Sequence, residues 1–261
     1  LGLFSDTNFL SSPNKRLILQ LLVIIIFLNF FDYRITDLRI DYFNNFFSNN
    51  YFKFIFTGVC ILILINGSNF IDGSNGLNLG YFFSVLLILQ NLVNNQFINV
   101  ETDVVYVCLI GILFLLILNF FNFLYLGDSG AYLISFVVGG ILIYIHQNNS
   151  NLSPYFVALL LWYPAFENLF SIIRKKIKKF DAFEADNKHI HQILFKLIKK
   201  KTKWTKFYCN NITSIAINLF NVAIFYLAFI NFSHTKNLIY ILILSLFFYS
   251  LIYFYLRKKN Y

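Results

Sequence analysis

A run of polar residues at 66–77 has the residue types and spacing of a ligand-binding loop. Its first eleven residues hold three Asn, three Gly and one Asp, among them Asn69, Asp72, Gly73 and Asn75. Glycine permits positive φ and a close backbone approach to a ligand, and the N–H groups of a following helix attract anions. The pattern predicts contact with an anionic ligand, although Asn and Gly are also common in plain turns.

Two further clusters each place a carboxylate near the expected start of a helix. Asp128 follows Gly127 in the run Leu-Gly-Asp-Ser-Gly at 126–130, and Asp6 closes the run Gly-Leu-Phe-Ser-Asp at 2–6. Either side chain could be a helix cap, which contributes about 1 kcal/mol. At a membrane boundary the Asp128 carboxylate could equally hold Mg²⁺, which takes one or two protein carboxylates together with phosphate oxygens and water.

The fourth cluster, at 186–192, contributes His189 and His191 within a basic segment. Histidines two residues apart do not share a helix face, but on an extended segment they point the same way. A zinc site would need two more ligands, and Cys209 is the one cysteine nearby. The cluster favours contact with an anion or a phosphate over a metal site, and an ordinary surface pair is the other interpretation.

The composition places these clusters in a membrane protein. Hydrophobic residues make up 58% of the 261 and charged residues 13%, roughly half the charged share of soluble domains. These values exclude a disordered chain, a collagen, a coiled coil and an ordinary cytosolic enzyme. Apolar runs long enough to cross a bilayer predict an all-α polytopic bundle, a single membrane domain over 1–261, with eight helices at about 17–31, 51–66, 77–94, 104–123, 129–146, 153–172, 212–231 and 237–256.

The distribution of Lys and Arg predicts which helix ends face the cytoplasm, because cytoplasmic loops carry the excess. Twelve of the 21 basic residues lie between Arg174 and Lys206, and three more lie at 257–259. The predicted cytoplasmic loops, about 1–16, 66–77, 124–129 and 173–211, therefore contain all four polar clusters. The net charge of +9 is then mostly a matter of topology, and a Lys run without interleaved aromatics argues against a nucleic acid partner.

In this order and on one face, the clusters resemble the polyprenyl-phosphate N-acetylhexosamine-1-phosphate transferase superfamily, glycosyltransferase family 4. Its Asp-Asp motif after Gly-x-x resembles residues 2–6, and its Asn-x-x-Asn-x-x-Asp-Gly-x-Asp-Gly-Leu signature matches 66–77 at every fixed position but one. Its Gly-Asp-x-Gly motif matches 126–130, its Ala-Asp-Arg and His-x-His-His loop resembles 185–192, and its Pro-x-x-Asp helix resembles 164–176. The His-Ile-His run is similar to the undecaprenyl-phosphate GlcNAc-1-phosphate transferase branch.

The resemblance implies transfer of N-acetylhexosamine-1-phosphate from a UDP-N-acetylhexosamine to undecaprenyl phosphate, which releases UMP and starts cell-wall, lipopolysaccharide or O-antigen synthesis. Asp128 would be the principal ligand of Mg²⁺, or of Mn²⁺ in its place, and Asp6 would sit close to the lipid phosphate. The remaining site residues implied are His189 and His191 at the diphosphate or sugar, and around the nucleotide and its phosphates Asn69, Asp72, Gly73, Asn75 and Gly127.

The resemblance also implies a multi-pass protein of the bacterial cytoplasmic membrane, with its active site on the cytoplasmic face. The chain begins at Leu1 and contains no Met, so about three upstream helices are expected to be missing, for a total of about eleven. Homodimers are common among such enzymes, so a second copy of the chain is a further candidate partner beside the bilayer.

Five positions depart from the family pattern. Ser5 and Glu167 stand where the family has Asp, Asn75 replaces the second Asp of the long signature, Asn187 replaces an Arg, and Gln192 replaces the last His. Ser5 keeps open the alternative of a catalytically inactive homologue that binds lipid phosphate or nucleotide. A phospho-MurNAc-pentapeptide transferase and a membrane transporter are weaker alternatives, since three consecutive His residues and paired broken helices are absent from the sequence.

Overall fold

All regular structure described by the computed structural model is helical. The description covers residues 1–7, 9–10, 12–98, 102–177 and 188–260. Within it, twelve helices follow one another: α1 Gly2–Asp6, α2 Pro13–Phe31, α3 Asp41–Phe47, α4 Asn50–Ile71, α5 Leu77–Asn94, α6 Thr102–Phe120, α7 Gly127–Asn148, α8 Pro154–Leu160, α9 Trp162–Ile177, α10 Ile190–Lys201, α11 Lys206–Ile230 and α12 Thr235–Asn260. The predicted all-α polytopic bundle is confirmed.

Seven of the described helices are long and apolar enough to cross a membrane, and α8 with α9 makes an eighth if the bent pair is one span. The two halves of that pair meet at 73°. The helix predicted at 153–172 is therefore present as a bent pair and not as one straight helix. Pro164 lies just inside α9 and cannot supply the backbone N–H that a continuous helix would need there.

The segment at 66–77, predicted as a loop, is helical as far as Ile71. The helix continues because its polar side chains find partners inside the bundle. Ser68 Oγ donates to the Ala131 carbonyl oxygen at 3.0 Å, and Asn78 Nδ2 donates to Ser68 Oγ at 2.9 Å. The turn that joins α4 to α5 is accordingly only 72–76, and Asn69 belongs to the last turns of α4.

The other predicted cytoplasmic loops also contain helix. Residues 1–16 include α1 and the start of α2, while 173–211 include the end of α9, all of α10 and the start of α11. α10 buries Ile190 and Ile193 and leaves Lys196, Lys199 and Lys200 exposed. A helix with one apolar and one basic face is suited to lie along a membrane surface.

Burial divides the bundle into a centre and a rim. α5 is the most buried of the candidate spans, whereas α2, α6 and α12 are the least buried and carry large exposed hydrophobic side chains such as Ile26, Phe114 and Phe248. α4 packs between α2, α7 and α9, and α11 packs against α5 and α10. This arrangement brings the ends of α4 and α9 together with the starts of α2, α7 and α10.

Candidate active site

A cavity of about 640 Å³ opens where α2, α4, α7, α9 and α10 meet. Its wall contains both polar and apolar side chains. The polar side chains are Arg16, Asn66, Asn69, Asp72, Tyr132, Asn168, Lys175, His189, His191 and Gln192, and the apolar ones include Leu17, Leu62, Ile63, Phe70 and Ile172. We call this space the amphipathic cavity.

Arg16 connects the amphipathic cavity to Asp128. Its Nη1 donates to Asp128 Oδ2 at 3.0 Å and to Ser5 Oγ at 2.8 Å, and Ser5 Oγ donates to Asp128 Oδ2 at 2.5 Å. Tyr132, one helical turn after Asp128, donates to the same oxygen at 3.4 Å and accepts from Asn69 Nδ2 at 3.4 Å. Asp128 therefore lies just behind the cavity wall, in a network of hydrogen bonds that reaches it through Arg16 and Tyr132.

Asp6 holds the start of α7 in place. Its Oδ1 accepts from the Asp128 amide at 2.9 Å, and its Oδ2 accepts from the Ser129 amide at 3.0 Å and from Ser129 Oγ at 2.5 Å. Partial burial raises the pKa of Asp6, but the hydrogen bonds from Ser129 and Asp128 outweigh it and leave that pKa below its ordinary value. This carboxylate caps a helix, a use in which its charge complements the helix dipole, and its expected closeness to a lipid phosphate stays a prediction.

Asp72, at the end of α4, experiences the opposite balance. Burial is the main cause that raises its pKa to about 8; a hydrogen bond from the Gly127 amide lowers it, while the nearby carboxylates of Asp128 and Asp6 raise it. Burial and the neighbouring carboxylates therefore both favour the protonated, uncharged form of Asp72.

His189 is held by a buried carboxylate. Its Nδ1 lies 3.0 Å from Glu167 Oε2, and Glu167 Oε1 accepts from the Ile190 amide at 3.2 Å and from the Tyr249 hydroxyl at 2.6 Å. The His189 ring also packs on Phe70, with 5.1 Å between ring centroids. Helices α9, α10 and α12 therefore all take part in placing this one imidazole in the cavity wall.

His191 stands parallel to His189, with ring centroids 5.8 Å apart. Burial lowers its pKa to about 4, the Glu167 carboxylate acting in the opposite direction and His189 adding to the decrease. Neither ring nitrogen has a hydrogen-bond partner among the described residues. A Cβ atom on Gly73 would lie 2.2 Å from His191 Nε2, so only glycine allows the ring its present place.

A second cavity of about 570 Å³ lies beside the contact between Gly73 and His191, and we call it the lysine cavity. It shares Gly73, His191 and Gln192 with the amphipathic cavity. Its other lining residues are Ser74, Asn122, Phe195, Lys196, Lys206, Phe207 and Asn210. Asn75 lies beside it, and its side-chain amide donates to Asn122 Oδ1.

The donor set fits a divalent cation that takes one protein carboxylate. No group of three or more His, Cys, Asp or Glu side chains that could hold a metal occurs in the described part of the chain. Within that part, Oδ2 of Asp128 accepts hydrogen bonds from Ser5 and Arg16 while its other oxygen accepts none. Mg²⁺ is commonly bound by one or two carboxylates with phosphate oxygens supplying further ligands.

The structure brings some of the sequence-predicted residues together and sets others apart. Asn69, Asp72, Gly73, His189 and His191 line the amphipathic cavity, whereas Asp6, Asn75, Gly127 and Asp128 lie outside its lining. Asn187 and Ala185 fall outside the described residues.

The cavity residues that sequence reasoning missed include three on α9 and Arg16 on α2. Asn168, Ile172 and Lys175 have the i, i+4, i+7 spacing of one helix face, which was readable in the sequence but hidden within an apparently continuous span. Arg16 was used only to predict which helix ends face the cytoplasm, because nothing in the neighbouring sequence distinguishes it from an ordinary basic residue at a membrane boundary.

The amphipathic cavity thus lies among the ends of helices that are long and apolar enough to cross a membrane, and a family comparison adds to this picture. The family model described as glycosyl transferase family 4 matches residues 1–146, more than half of the chain. The chain belongs to glycosyl transferase family 4, a family of membrane-embedded polyprenyl-phosphate sugar-1-phosphate transferases with a lipid-phosphate acceptor and a nucleotide-sugar donor. No curated protein and no solved structure matches the chain at a significant level.

Proposed function

We propose that this protein transfers N-acetylhexosamine-1-phosphate, with GlcNAc-1-phosphate as the first candidate, from a UDP-sugar to undecaprenyl phosphate. The amphipathic cavity is the observation that carries the proposal. Its wall combines cationic and hydrogen-bonding side chains with aliphatic ones, as a substrate with an anionic head and an isoprenoid tail requires. The product would start the synthesis of a cell-wall or surface polysaccharide such as an O-antigen.

The acceptor phosphate would lie between Arg16 and Lys175. These side chains come from α2 and α9 and line the same cavity, and both are cations that bind phosphate oxygens. The isoprenoid chain would leave along Leu17, Leu62 and Ile172 toward the lipid. A phosphate monoester is largely ionised at neutral pH, so the site needs positioning and charge neutralisation more than a strong general base.

The donor would occupy the lysine cavity and reach the acceptor past Gly73 and His191. Lys196 and Lys206 carry positive charge there, and Phe195, Phe207 and Asn122 offer ring and amide surface to a nucleotide. In the reaction an acceptor phosphate oxygen forms a bond to the β-phosphorus of the donor. The bond from that phosphorus to the bridging oxygen breaks, and UMP leaves with the electron pair.

The remaining residues organise charge around that step. Asp6 fixes the start of α7 and so the place of Asp128, and Asn69 connects to Asp128 through Tyr132. A Mg²⁺ ion bound by Asp128 would neutralise negative charge on the diphosphate. Positioning of both substrates and electrostatic stabilisation together account for most of the catalysis in phosphoryl transfer.

The test measures UMP release from proteoliposomes that contain the protein, undecaprenyl phosphate and one UDP-N-acetylhexosamine at a time, with Mg²⁺, Mn²⁺ or EDTA. We expect release that requires both lipid and cation, and we expect Asp128→Asn to abolish it. An Asp103→Asn variant is the matched control, since Asp103 lies at the start of α6, away from the cavity lining. No release with any donor from a folded, inserted protein would refute the proposed function.

That negative result would favour a second candidate, a homologue that binds lipid phosphate or nucleotide without turnover. One observation favours it. Ser5, which stands where the family has an aspartate, donates a hydrogen bond together with Arg16 to Asp128 Oδ2. Binding of radiolabelled UDP without UMP release would support this candidate.

A further inference from the structure

Glu167 is a fully buried carboxylate that makes no contact with the amphipathic cavity's open space. It lies on α9, three residues after Pro164, with no exposed surface. Both of its oxygens are engaged: Oε2 faces His189 Nδ1, while the Tyr249 hydroxyl and the Ile190 amide both donate to Oε1. A buried carboxylate is costly unless it is fully hydrogen-bonded, and here three donors from α10 and α12 surround it.

The donors around Glu167 determine which nitrogen of His189 carries the proton. A carboxylate that accepts from both Tyr249 and Ile190 is an acceptor only, so Nδ1 of His189 must be the donor of the third hydrogen bond. His189 lines the amphipathic cavity, and with Nδ1 engaged, Nε2 is the ring nitrogen left for a ligand. His191 stacks on this imidazole, and the other charged or titratable groups of the cavity lining are Arg16 on α2, Asp72 at the end of α4, Tyr132 on α7 and Lys175 on α9.

We propose that Glu167 is a positioning residue for His189, and that Tyr249 keeps Glu167 in register. The pair presents Nε2 of His189 to the phosphate oxygens of the donor, as a hydrogen-bond donor when the ring is cationic. The proposal rests on the proposed function for the identity of that ligand. It does not rest on it for the geometry, because the orientation of the ring follows from the three hydrogen bonds alone.

The proposal predicts a change of His189 tautomer when Glu167 is replaced by Gln, because the amide has one oxygen where the carboxylate has two. The Tyr249 hydroxyl and the Ile190 amide both donate to Oε1, so the amide oxygen of Glu167→Gln should turn toward them. Its NH₂ group would then face His189 Nδ1, which must become an acceptor. The proton of neutral His189 is therefore expected to move from Nδ1 to Nε2.

The experiment records ¹⁵N NMR spectra of histidine-labelled protein in lipid bilayers. The chain has four His residues, and His189→Gln identifies the signals of His189. We expect an Nδ1–H tautomer in the native protein and in Glu167→Asp, and an Nε2–H tautomer in Glu167→Gln. Tyr249→Phe keeps the carboxylate and should keep the Nδ1–H tautomer, so it serves as a second variant with a smaller packing change.

UMP release is measured on the same preparations. Glu167→Gln lacks the carboxylate that stabilises a cationic His189, and a neutral Nε2–H group binds phosphate oxygens more weakly than a charged one. We therefore expect Glu167→Gln to lower kcat/KM by about 10- to 100-fold, the range of losses when the partner of a functional histidine is removed, and Glu167→Asp to recover part of it. An unchanged tautomer together with unchanged kcat/KM in Glu167→Gln would overturn the role of Glu167. A tautomer that switches in a protein without transferase activity would overturn the proposed function and leave the positioning role standing.

Discussion

Ser5 and Arg16 determine what the Asp128 carboxylate can bind. The guanidinium and the hydroxyl both donate to Oδ2, so a positive charge already sits at the carboxylate that the family resemblance assigns to Mg²⁺. Arg16 also lines the amphipathic cavity and can therefore contact a substrate phosphate while a cation takes its place at Asp128. We therefore expect the residue at position 5 to affect how strongly this carboxylate attracts a cation.

The first prediction is that Ser5→Asp binds Mn²⁺ about tenfold more tightly, since a second carboxylate beside Asp128 adds an oxygen ligand and a negative charge. Mn²⁺ binding by electron paramagnetic resonance measures the change. Thr7→Asp is the matched control, because Thr7 is exposed and bonds only to the Leu3 carbonyl within the described structure. Equal Mn²⁺ affinities in Ser5→Asp and the native protein would contradict the prediction.

The contact of Gly73 with His191 gives a second prediction. A methyl group on residue 73 would collide with His191 Nε2 at 2.2 Å, and the buried ring has little room to move. Displacing it by about 1 Å is expected to lower the kcat/KM of UMP release by about 100-fold. Gly111→Ala is the control, since no atom lies within 4 Å of the added carbon. Native activity in Gly73→Ala would show that the contact is irrelevant to the reaction.

Burial of His191 gives a third prediction, on pH and stability. Its pKa is about 4 in the folded protein, below the ordinary value near 6.5, so between these values the unfolded chain binds more protons. The stability due to neutral His191 is fully present above pH 6.5 and falls by about 3 kcal/mol as the pH drops to 4. Unfolding in lipid nanodiscs at pH 4.5–7.5 measures this, and His191→Gln should flatten the curve. The control is His234→Gln at the exposed His234, and a slope as steep in His191→Gln as in the native protein would count against this assignment.

At the scale of elements, the crossing of α4 with α9 places most of the site. Gly67 on α4 lies against the backbone at the α8–α9 break, where an added Cβ would come 2.0 Å from the Pro164 carbonyl oxygen. Asn168 Nδ2 donates across the same crossing to the Ile63 carbonyl oxygen at 3.1 Å. The close approach keeps Asp72 and Lys175, at the ends of the two helices, in one cavity.

Gly67→Ala is therefore predicted to destabilise the protein by about 1–3 kcal/mol or to force the two helices apart, because the added methyl meets backbone. Gly58→Ala, on the same helix, places its methyl at an ordinary 3.6 Å from Ile24 and Leu28 and should be neutral or stabilising by up to about 1 kcal/mol. Denaturation of the two variants in the same detergent measures the difference. Equal midpoints would mean that the α4–α9 crossing adapts without cost.

The sequence predicted elements well where hydropathy alone decides them. The span predicted at 77–94 coincides with α5, and the predicted end at residue 31 coincides with the end of α2. The polar turns of α4 could not be predicted, because Ser68 and Asn69 are satisfied by partners on α7 that no local pattern reveals. Among the candidate site residues, sequence motifs alone indicated Asp72 and His189. The roles of Arg16 and Glu167 became visible only from the way α2 and α9 pack in the bundle.

At the scale of the whole molecule, the end of the bundle opposite the cavity is tied together by Arg39. Its guanidinium donates to the Ser150 carbonyl oxygen at 2.5 Å, to that of Leu152 at 2.9 Å and to that of Ser233 at 3.3 Å. α8 begins beside these residues, whereas α9 ends with Lys175 in the amphipathic cavity. The bent pair therefore runs from one end of the bundle to the other, which favours one broken span over a re-entrant loop.

This topology leads to the last prediction, on orientation. Seventeen of the 21 basic residues lie at 15–16, 174–206 and 257–259. The first two segments join helices at the cavity end of the bundle, and two spans, α11 and α12, separate the third segment from that end. The cavity should therefore face the cytoplasm. In a background with Cys60, Cys108 and Cys209 replaced by Ser, a membrane-impermeant maleimide applied to intact cells should label Asn151→Cys and leave Lys196→Cys unlabelled until the cells are opened. Both positions are exposed. Labelling of both positions in intact cells would mean that α8 and α9 turn back within the membrane. Labelling of Lys196→Cys alone would show the opposite orientation, with the proposed UDP-sugar site where no cytoplasmic nucleotide could reach it.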